Sequence, residues 1–381
     1  MTSPANVDST PPPPLQAGSR VMGRYKILGE APLGEGGWCS VWKARHEPSG
    51  RDVAVKTFRD QSIREVGVEA LDKRFAREVS VFKTLGVAPG PDAGKKAIKV
   101  FEEGQLDPAE LFVNLLDFSG GDDGGASSHH GDPGRAADGR CYTVLELADC
   151  SLDEWVAERS ASPEAGRAEL YDVAGALARS LAWLHGHDLC HNDVKPSNIM
   201  RFGTRWKLID LEGVLPLGGP AEVHTSCTTP LYVCPELARA VLKELGASGS
   251  MPSVIKGMQP TPKMDLWAAG VVLLDVLARG CAFEEAYSGF RTQAMMNYDG
   301  GDDACDGLQE WYEWLADPAP IDPGEYASPP EFCPRQLSSA PPCGAELSQL
   351  LSLFCGLLAK DPGQRFSSDE FLSHPAVASD E

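Results

Sequence analysis

The sequence predicts an α+β protein of two lobes, a small β-rich lobe with one main helix followed by a larger, mostly helical lobe. Two observations predict this order. Between residues 25 and 58, short apolar runs are bounded by Gly, Pro and Ser, which is typical of strands and hairpins. From about residue 151 onward, apolar residues recur at helical intervals, most clearly over residues 170–184, 266–277 and 347–358. A chain of 381 residues is long enough to bury the core of such a fold.

Composition sets the expected domain boundaries. Residues 1–20 contain a run of prolines and are expected to form a disordered tail. Residues 21–147 are the predicted small lobe, residues 148–376 are the predicted larger lobe, and residues 377–381 are a short tail.

Short runs between turn residues predict the first strands of the small lobe. The runs YKILGEAPLGEGGW, CSVWKARH and DVAVKTF begin at residues 25, 39 and 52, with a Pro-Ser-Gly turn before the third. A helix is predicted next, because apolar side chains recur at helical spacing at Val68, Leu71, Phe75, Val79 and Phe82.

Two more strands are predicted at LFVNLLDF (residues 111–118) and CYTVLEL (residues 141–147). The segment between them, near residues 119–140, is rich in Gly, Asp and Ser. Such a composition buries little apolar surface, so we expect a flexible insertion in the small lobe.

The charge balance excludes some partners. The chain has 34 Lys and Arg against 55 Asp and Glu, a formal net charge of -21, whereas nucleic acids and anionic membrane surfaces select for basic patches. We therefore expect no nucleic-acid partner. A basic peptide substrate would suit the charge, and a charge excess that only keeps the chain soluble is an equally good interpretation.

Three features indicate the compartment. The chain has no run of about 18 or more apolar residues, so no membrane span is expected. The first residues, MTSPANVDSTPPPPLQAGSR, lack the basic start and apolar core of a secretory signal. The 11 cysteines include no CxxC pair, which favours free thiols over a disulfide framework. We expect an intracellular location, the cytoplasm before the nucleus. The oligomeric state is left open by the sequence.

A glycine-rich motif and a lysine indicate a phosphate site in the small lobe. The stretch LGEGGWCSV (residues 33–41) places Gly34 and Gly36 in a predicted strand-turn-strand, where missing Cβ atoms let backbone amides approach phosphates. The stretch VAVK, which ends at Lys56, follows on the next predicted strand and brings an ammonium group toward the same phosphates. Glycine-rich hairpins alone are common, but the combination is more specific.

With these motifs the chain resembles the eukaryotic protein kinases, and the resemblance runs from about residue 25 to residue 375. The further motifs that carry it are HNDVKPSN (191–198), KLIDLEG (207–213), TTPLYVCPE (228–236), DLWAAG (265–270) and DPGQRFSSDEFLSHP (361–375). The resemblance implies the bilobal protein-kinase fold, ATP and Mg²⁺ as cofactors, and a protein substrate with a Ser or Thr acceptor.

The resemblance also implies catalytic roles for four residues. Asp193 would accept or orient the proton of the acceptor hydroxyl. Lys195, two residues later, is the form found in the serine/threonine type and would stabilise charge on the transferring phosphoryl group. Lys56 would clamp the ATP phosphates, and Glu78 from the predicted helix would hold Lys56 in place.

Cofactor ligands follow from the same resemblance. Asn198 and Asp210 would bind magnesium, a hard cation that prefers oxygen ligands. Leu145 would lie at the gatekeeper position. The residues that would line the adenine base are Val41, Ala54 and Met200 as apolar walls, and Glu146 to Ala148 through their backbone groups.

Two contacts outside the nucleotide site are also implied. Thr229 would bond near Asp193 and Lys195. Glu236 and Arg365 would form a buried ion pair, and loss of one partner from such a pair costs about 3 to 5 kcal/mol.

The stretch HGHDLCH admits a second interpretation. His185, His187, Cys190 and His191 crowd together like zinc ligands, and a zinc site would need the four side chains to converge tetrahedrally. The resemblance instead implies that His191 supports the catalytic loop and that the other three belong to the preceding helix and its turn. We favour the second interpretation.

The sequence departs from the family pattern at the catalytic loop. Asn192 replaces the arginine that in many kinases receives a phosphate on the activation segment. We therefore predict activity that does not depend on phosphorylation of Thr225, Ser226 or Thr228.

Two more departures affect the nucleotide site. The usual Asp-Phe-Gly is Asp-Leu-Glu-Gly here, so Glu212 adds a negative charge near the metal, and restricted switching of this segment is expected. Cys39 stands at the third glycine position, where it is either a reactive thiol over the nucleotide or, as we favour, an inert small residue.

An insertion marks the larger lobe. The interval between Glu236 and Asp265 is longer than in the family and contains ASGSMPSVIKGMQPTPK. This interval could be a segment that docks a partner or a solvated loop, and the solvated loop is the simpler expectation.

Two other functions stay open. The pairing of HND with IDLE is similar to small-molecule kinases of the choline and aminoglycoside type, although Lys195, TTPLYVCPE and Arg365 belong to peptide-binding kinases. A catalytically silent pseudokinase scaffold is the other alternative, against which the complete set of Lys56, Glu78, Asp193, Asn198 and Asp210 stands.

Overall fold

The computed structural model describes residues 14–88, 106–120, 132–158, 163–218, 223–224, 229–296, 307–322 and 344–378 of the chain. Contacts between residues divide the chain into two compact units, Met1–Ala148 and Asp149–Glu381, which we call the first and the second unit. Strands predominate in the described part of the first unit and helices in that of the second. This confirms the predicted α+β class, with a β-rich lobe followed by a helical one.

An antiparallel sheet of seven strands forms the first unit. The strands are β1 (Arg20–Val21), β2 (Tyr25–Ile27), β3 (Gly34–Glu35), β4 (Cys39–His46), β5 (Arg51–Phe58), β6 (Leu115–Phe118) and β7 (Tyr142–Glu146). Their order is β1-β2-β4-β5-β7-β6, and β3 pairs with β4. The Pro-Ser-Gly turn lets β4 and β5 pair along their whole length, from Cys39 opposite Phe58 to His46 opposite Arg51.

The described helices of the first unit are α1 (Asp60–Val66), α2 (Val68–Thr84) and α3 (Pro108–Leu111). Helix α2 is the predicted main helix. Of the apolar residues that predicted it, Leu71, Phe75, Val79 and Phe82 are buried, whereas Val68 is exposed. Helix α1 escaped prediction, because its sequence DQSIREV contains only two apolar residues and shows no period.

The segment near residues 119–140 is anchored at its described ends, and its middle, residues 121–131, lies outside the described residues. Arg135 pairs with Asp72 of α2 over 2.8 Å. Arg140, with only 4% of its side chain exposed, pairs with an aspartate of α1 over 3.0 Å. Composition alone does not reveal these anchors, because they are single charged contacts rather than apolar burial.

Eight helices and seven short strands are described in the second unit. The helices are α4 (Leu152–Glu158), α5 (Pro163–Gly186), α6 (Pro235–Ser248), α7 (Pro262–Ala278), α8 (Glu284–Met296), α9 (Leu308–Ala316), α10 (Gly344–Leu357) and α11 (Ser368–Leu372). The strands are β8 (Cys150–Ser151), β9 (Leu189–Cys190), β10 (Ile199–Phe202), β11 (Arg205–Leu208), β12 (Leu215–Pro216), β13 (Val223–His224) and β14 (Val254–Ile255). Strands β8, β10 and β11 form one sheet, β9 pairs with β12, and β13 pairs with β14.

Helix α7 is the core of the second unit. Every residue from Met264 to Val276 is buried. Gly270 permits close packing, because a Cβ atom there would lie 2.9 Å from side-chain atoms of Leu357 and Leu358. Two aspartates, Asp265 and Asp275, are buried in this otherwise apolar helix.

No helix in the described ranges combines the length and apolar character needed to cross a membrane. The cysteines at the described positions are free thiols. Burial raises the pKa of Cys141 and of Cys281 to about 12. Burial also raises the pKa of Cys190 and of Cys234 far above the ordinary value. At neutral pH these four side chains are therefore protonated and unreactive.

Candidate active site

The predicted pair of Lys56 and Glu78 is formed within the first unit. Lys56 lies in the middle of the sheet on β5, opposite Val41 of β4 and Thr143 of β7. Glu78 lies on the buried face of α2. The Lys56 Nζ atom is 2.7 Å from Glu78 Oε1, and the two side chains are 12% and 6% exposed. The ammonium group is thereby held in one place, as a phosphate-binding lysine requires.

The glycine-rich motif forms the hairpin of β3 and β4. Gly34 pairs with Val41, and the Gly36 N–H donates to the Cys39 carbonyl over 2.9 Å. Gly34 and Gly36 are exposed, and a Cβ atom added at Gly34 would meet nothing within 4 Å. The hairpin backbone is thus accessible to a ligand. Cys39 is 8% exposed, which favours the interpretation of this residue as an inert packed side chain.

Contacts that the sequence did not predict tie the tip of this hairpin to the neighbouring helices. Arg59 Nη2 donates to the Gly37 carbonyl over 2.5 Å, and the Arg59 N–H donates to the Trp38 carbonyl over 2.9 Å. The Arg74 guanidinium of α2 lies 4.8 Å from the centre of the Trp38 ring. The tip is therefore coupled to the helix that carries Glu78.

The predicted base-binding residues lie mostly on strands. Val41 is on β4, Ala54 on β5, Glu146 on β7 and Met200 on β10, and Ala148 ends the first unit. Ala54 lies directly opposite Leu145, the predicted gatekeeper. The Glu146 N–H donates to the Asn114 carbonyl over 3.1 Å, and the Glu146 carboxylate accepts from the Asn114 amide over 2.7 Å. The role of these positions in binding a nucleotide stays a prediction.

The catalytic loop places three polar side chains around the Asp193 carboxylate. Lys195 Nζ lies 2.7 Å from Asp193 Oδ2, and Asn198 Nδ2 donates to the same oxygen over 3.0 Å. Thr229 Oγ1 accepts from Lys195 Nζ over 3.2 Å and lies 3.4 Å from Asp193 Oδ1. The predicted contact of Thr229 with Asp193 and Lys195 is confirmed. A cation, an amide and a hydroxyl thus orient one carboxylate that is 15% exposed.

Helix α7 anchors this loop through a residue that the sequence reasoning missed. Asp265 accepts the backbone N–H groups of His191 and of Asn192, each over 2.8 Å. His185 Nε2 lies 3.0 Å from the same carboxylate. Burial raises the pKa of Asp265, but the bond and charge of His185 and the bond from His191 outweigh burial and hold the pKa below its ordinary value. An aspartate that opens an apolar helix was the available signal.

His191 supports the loop from the other side, as the resemblance implied. Its ring is buried, and its Nε2 atom lies 3.0 Å from the Ile209 carbonyl. The Ile209 N–H in turn donates to the Asn198 carbonyl over 2.9 Å. These bonds fix the residue before Asp210 against the catalytic loop. Gly213 completes the approach, because a Cβ atom there would lie 3.1 Å from the His191 carbonyl.

The donors present fit magnesium. Asn198 uses its amide nitrogen for the Asp193 carbonyl, over 2.8 Å, and for the Asp193 carboxylate. Its Oδ1 atom is then the group that can bind a cation, and Asp210 offers a carboxylate. Carboxylate and amide oxygens are the ligands that Mg²⁺ prefers.

The zinc interpretation of the histidine-rich stretch is wrong. The His187 ring stacks on Trp183 with 3.8 Å between centroids, and the His191 ring contacts Ile209. Among the four side chains, His185 and Cys190 alone gather with Asp265 within 4.8 Å. The Asp265 carboxylate is occupied by two backbone N–H groups, and Cys190 is held as a thiol, so the trio is a hydrogen-bonded support.

Asn192 has taken on a structural role in place of the arginine. Its φ angle is 64°, a left-handed conformation that asparagine tolerates better than most residues. Its Nδ2 atom donates to the carbonyls of Gly213, over 3.1 Å, and Cys190, over 3.2 Å. The side chain is neutral and engaged with the backbone. Activity is predicted not to depend on phosphorylation of Thr225, Ser226 or Thr228, and these three residues lie outside the described residues.

The predicted ion pair of Glu236 and Arg365 is present. Arg365 Nη1 and Nη2 donate to the two oxygens of Glu236 over 2.7 and 2.9 Å. The Arg365 guanidinium also lies 5.2 Å from the centre of the Trp267 ring. The pair fastens the start of α6 to the chain before α11.

Two further contacts near Thr229 were not predicted. Trp311 Nε1 of α9 donates to the Pro230 carbonyl over 2.9 Å. Tyr232 OH donates to Asp275 Oδ2 over 2.8 Å. Burial raises the pKa of Asp275 to about 7. Neither Trp311 nor Asp275 lies in a motif that indicates such a contact. Only the presence of an aspartate in the apolar sequence of α7 could have indicated the bond between Tyr232 and Asp275.

Comparison with known proteins was consistent with this geometry. The sequence model described as "Protein kinase domain" matches residues 135–377. The chain is 27% identical to CBL-interacting protein kinase 30 of Oryza sativa subsp. japonica, over 70% of this chain and 44% of that protein. It is 24% identical to CBL-interacting serine/threonine-protein kinase 15 of Arabidopsis thaliana, over 71% of this chain and 50% of that protein. It is 21% identical to the carbon catabolite-derepressing protein kinase of Candida tropicalis, over 70% of this chain and 33% of that protein.

The chain spans half the length or less of these relatives. The matched range begins after the glycine-rich hairpin, Lys56 and Glu78. For the residues before 135, the support for a kinase-like site is the contact between Lys56 and Glu78 in the structure, which does not depend on the sequence match.

Proposed function

The chain belongs to the protein kinase family, and from this membership we propose that it transfers the γ-phosphoryl group of ATP to serine and threonine hydroxyls of proteins. The observation that carries the proposal is the arrangement around Asp193. Lys195 and Asn198 both bond to one of its carboxylate oxygens, and Thr229 lies 3.4 Å from the other.

Asp193 has the surroundings of a group that orients an acceptor hydroxyl. Its backbone follows directly on two residues fixed by the buried Asp265. A carboxylate held this way can accept a hydrogen bond from a hydroxyl and align its oxygen for in-line attack. Lys195, beside it, supplies positive charge where negative charge develops in transfer.

The nucleotide is proposed to bind through the glycine-rich hairpin, the pair of Lys56 and Glu78, and the two magnesium ligands. Lys56, fixed by Glu78, would hold the phosphates together with the backbone of Gly34 and Gly36, and Asn198 and Asp210 would bind Mg²⁺. Magnesium, when bound, neutralises charge on the phosphate oxygens. The residues proposed to contact the base are Val41, Ala54, Glu146, Ala148 and Met200.

A protein acceptor is favoured over a small molecule. The chain after Thr229 is held by Trp311, Tyr232 and the ion pair of Glu236 with Arg365. Such a fixed segment beside Asp193 supports docking of an extended peptide, which a small-molecule kinase does not need. The net charge of -21 favours basic peptides. An intracellular, cytoplasmic site of action is part of the proposal, because the described cysteines are free thiols.

The test is phosphate transfer from radiolabelled ATP to a Ser/Thr peptide library, with the wild type and Asp193→Asn compared. We expect Asp193→Asn to lower turnover by about a hundredfold or more while nucleotide binding is retained. Asp188→Asn is the matched control. Asp188 is exposed and lies in the turn before the loop, so its substitution removes the same charge. Its φ angle of 57° is one that asparagine also accepts.

Two results would contradict the proposal. Equal and negligible transfer by the wild type and Asp193→Asn, with ATP still bound, would establish a silent scaffold. Transfer to choline or an aminoglycoside, and to no peptide, would establish a small-molecule kinase.

A further inference from the structure

We propose that residues 249–261, which we call the inserted segment, hold the activation segment in its working position and replace the phosphate that many kinases use for this purpose. The activation segment is taken as residues 210–236. The inference rests on the proposed function, because it concerns how the same catalytic loop is kept active.

The inserted segment pairs with the activation segment as a strand. Strands β13 and β14 are antiparallel, with Val223 opposite Ile255 and His224 opposite Val254. The Val223 N–H also donates to the Met258 carbonyl over 3.2 Å. Val223 and Ile255 are each only 3% exposed. The contact therefore combines main-chain bonds with apolar burial on both sides, unlike a solvated loop.

The clamped strand lies against the catalytic loop. Val223 lines one small cavity together with Asn192, Asp193 and Thr229. Movement of β13 away from β14 would remove one wall of the surroundings of Asp193. The strand pair can thus influence the orientation of the carboxylate.

The catalytic loop has no charge at the position where an activating phosphate is usually received. Asn192 is neutral, and its amide already donates to the Gly213 and Cys190 carbonyls. A phosphate on the activation segment would gain little from this side chain, since the strong bonds of phosphate are made to cationic donors. Some other contact has to fix the segment, and β14 supplies one.

The inserted segment is suited to act permanently. It is joined at one end to α6, which stops at Gly249 in a left-handed conformation, and at the other end to the buried helix α7. A strand tethered at both ends pays little entropy when it pairs, and it is present in every molecule. We therefore expect β13 to be paired with β14 in every molecule, whatever the phosphorylation state of the chain.

Downstream contacts complete the arrangement. Thr229 is held by Lys195 and Asp193, and Trp311 holds the Pro230 carbonyl. In the described part of the activation segment, contacts made by residues of the chain itself thus lie on both sides of residues 225–228.

The test variant is Ile255→Asp, which places a charge in the buried strand pair. Ser253→Asp is the matched control, because it adds the same charge at an exposed position of the same segment. Ile255→Val tests rescue by a conservative side chain. Each protein is treated with phosphatase, and mass spectrometry verifies that no phosphate remains.

We expect phosphatase-treated wild type, Ser253→Asp and Ile255→Val to retain activity. In Ile255→Asp we expect the peptide that contains Val223 to exchange its amide hydrogens at least about tenfold faster. Peptide phosphorylation, as kcat/KM, should fall by a similar factor, whereas KM for ATP should change by less than about twofold, because neither β13 nor β14 contains a residue proposed to bind ATP. That split separates loss of the clamp from general unfolding.

Several results would overturn the inference. These are loss of wild-type activity after phosphatase treatment, unchanged exchange at Val223 in Ile255→Asp, and faster exchange with unchanged activity. If the wild type transfers no phosphate at all, the proposed function fails. Hydrogen exchange then still decides whether β14 holds the activation segment.

Discussion

The carboxylate of Asp265 fixes two backbone N–H groups immediately before Asp193. Two residues of the proposed site adopt left-handed conformations that cost energy outside glycine, with φ of 64° at Asn192 and 56° at Asp210. The hydrogen bonds of Asp265 and of the Asn192 amide offset that cost. Conformational strain is thus concentrated beside the residues proposed to act on the acceptor and the metal.

Glu78→Gln should weaken ATP binding. The amide cannot balance the charge of Lys56, so the ammonium group loses its fixed position. We expect KM for ATP to rise by about tenfold with KM for peptide unchanged, measured by steady-state kinetics. Glu69→Gln is the control, because Glu69 is exposed on the same helix. Equal kinetics in both variants would contradict the role of Glu78.

Asp275 should make stability depend on pH. Burial raises its pKa from 3.8 to about 7 in the folded chain. Between these values the folded state keeps a proton that the unfolded state releases, so the free energy of unfolding falls as pH rises, by up to about 1.4 kcal/mol per pH unit.

Asp275→Asn should flatten this dependence between pH 4 and 7, as measured by urea unfolding at several pH values. Asp153→Asn, at an exposed position of α4, should follow the wild-type curve. The assignment would fail if the Asp275 variant kept the wild-type slope.

At the scale of elements, the sequence predicted the helices and strands that are long enough to show a repeating pattern of apolar residues. The long strands β4 and β5 and the helices α2, α5, α7 and α10 each repeat apolar residues often enough to show a period. Strands of two residues cannot, which is why β13 and β14 were not anticipated. Their pairing depends on main-chain hydrogen bonds between distant segments, and the order of apolar and polar side chains in the sequence does not predict such bonds.

The site divides in the same way. Lys56, Asp193 and Arg365 were assigned because they lie in motifs that resemble those of the protein kinases. Asp265 was missed as a partner of the catalytic loop, and Trp311 as a partner of the chain after Thr229, because each acts across many residues of sequence through hydrogen bonds to backbone atoms. Folding alone brings such partners together.

The contact of α7 with α10 can be tested with two glycines. Gly270→Ala should lower the free energy of unfolding by about 1 to 3 kcal/mol, because the added methyl group would lie 2.9 Å from Leu357 and Leu358. Gly246→Ala in α6 should raise it by about 0.5 to 1 kcal/mol, since its Cβ meets nothing within 4 Å. Both changes are measured by chemical unfolding. A neutral Gly270→Ala would show that the helices pack less closely than described.

At the scale of the whole molecule, one buried ion pair joins residues 129 positions apart. Arg365 is 0% and Glu236 17% exposed. Arg365→Met should therefore cost about 3 to 5 kcal/mol of unfolding free energy, because the Glu236 charge is left unpaired. The double variant with Glu236→Leu should recover part of that loss.

The control for this prediction is a surface pair. Arg20 and Glu47 lie 2.9 Å apart with side chains 66% and 34% exposed. Arg20→Met should cost less than about 1 kcal/mol. Similar losses in the two arginine variants would refute the special weight given to the buried pair.

Each unit contains a buried cysteine whose rate of alkylation would report how often that unit opens to water. Cys141 belongs to the first unit and Cys234 to the second, and burial raises the pKa of both thiols. An alkylating reagent attacks only the thiolate, so each side chain becomes labelled when its surroundings open to water. The order in which the two sulfur atoms are modified would therefore reveal which of the two units opens to water more often.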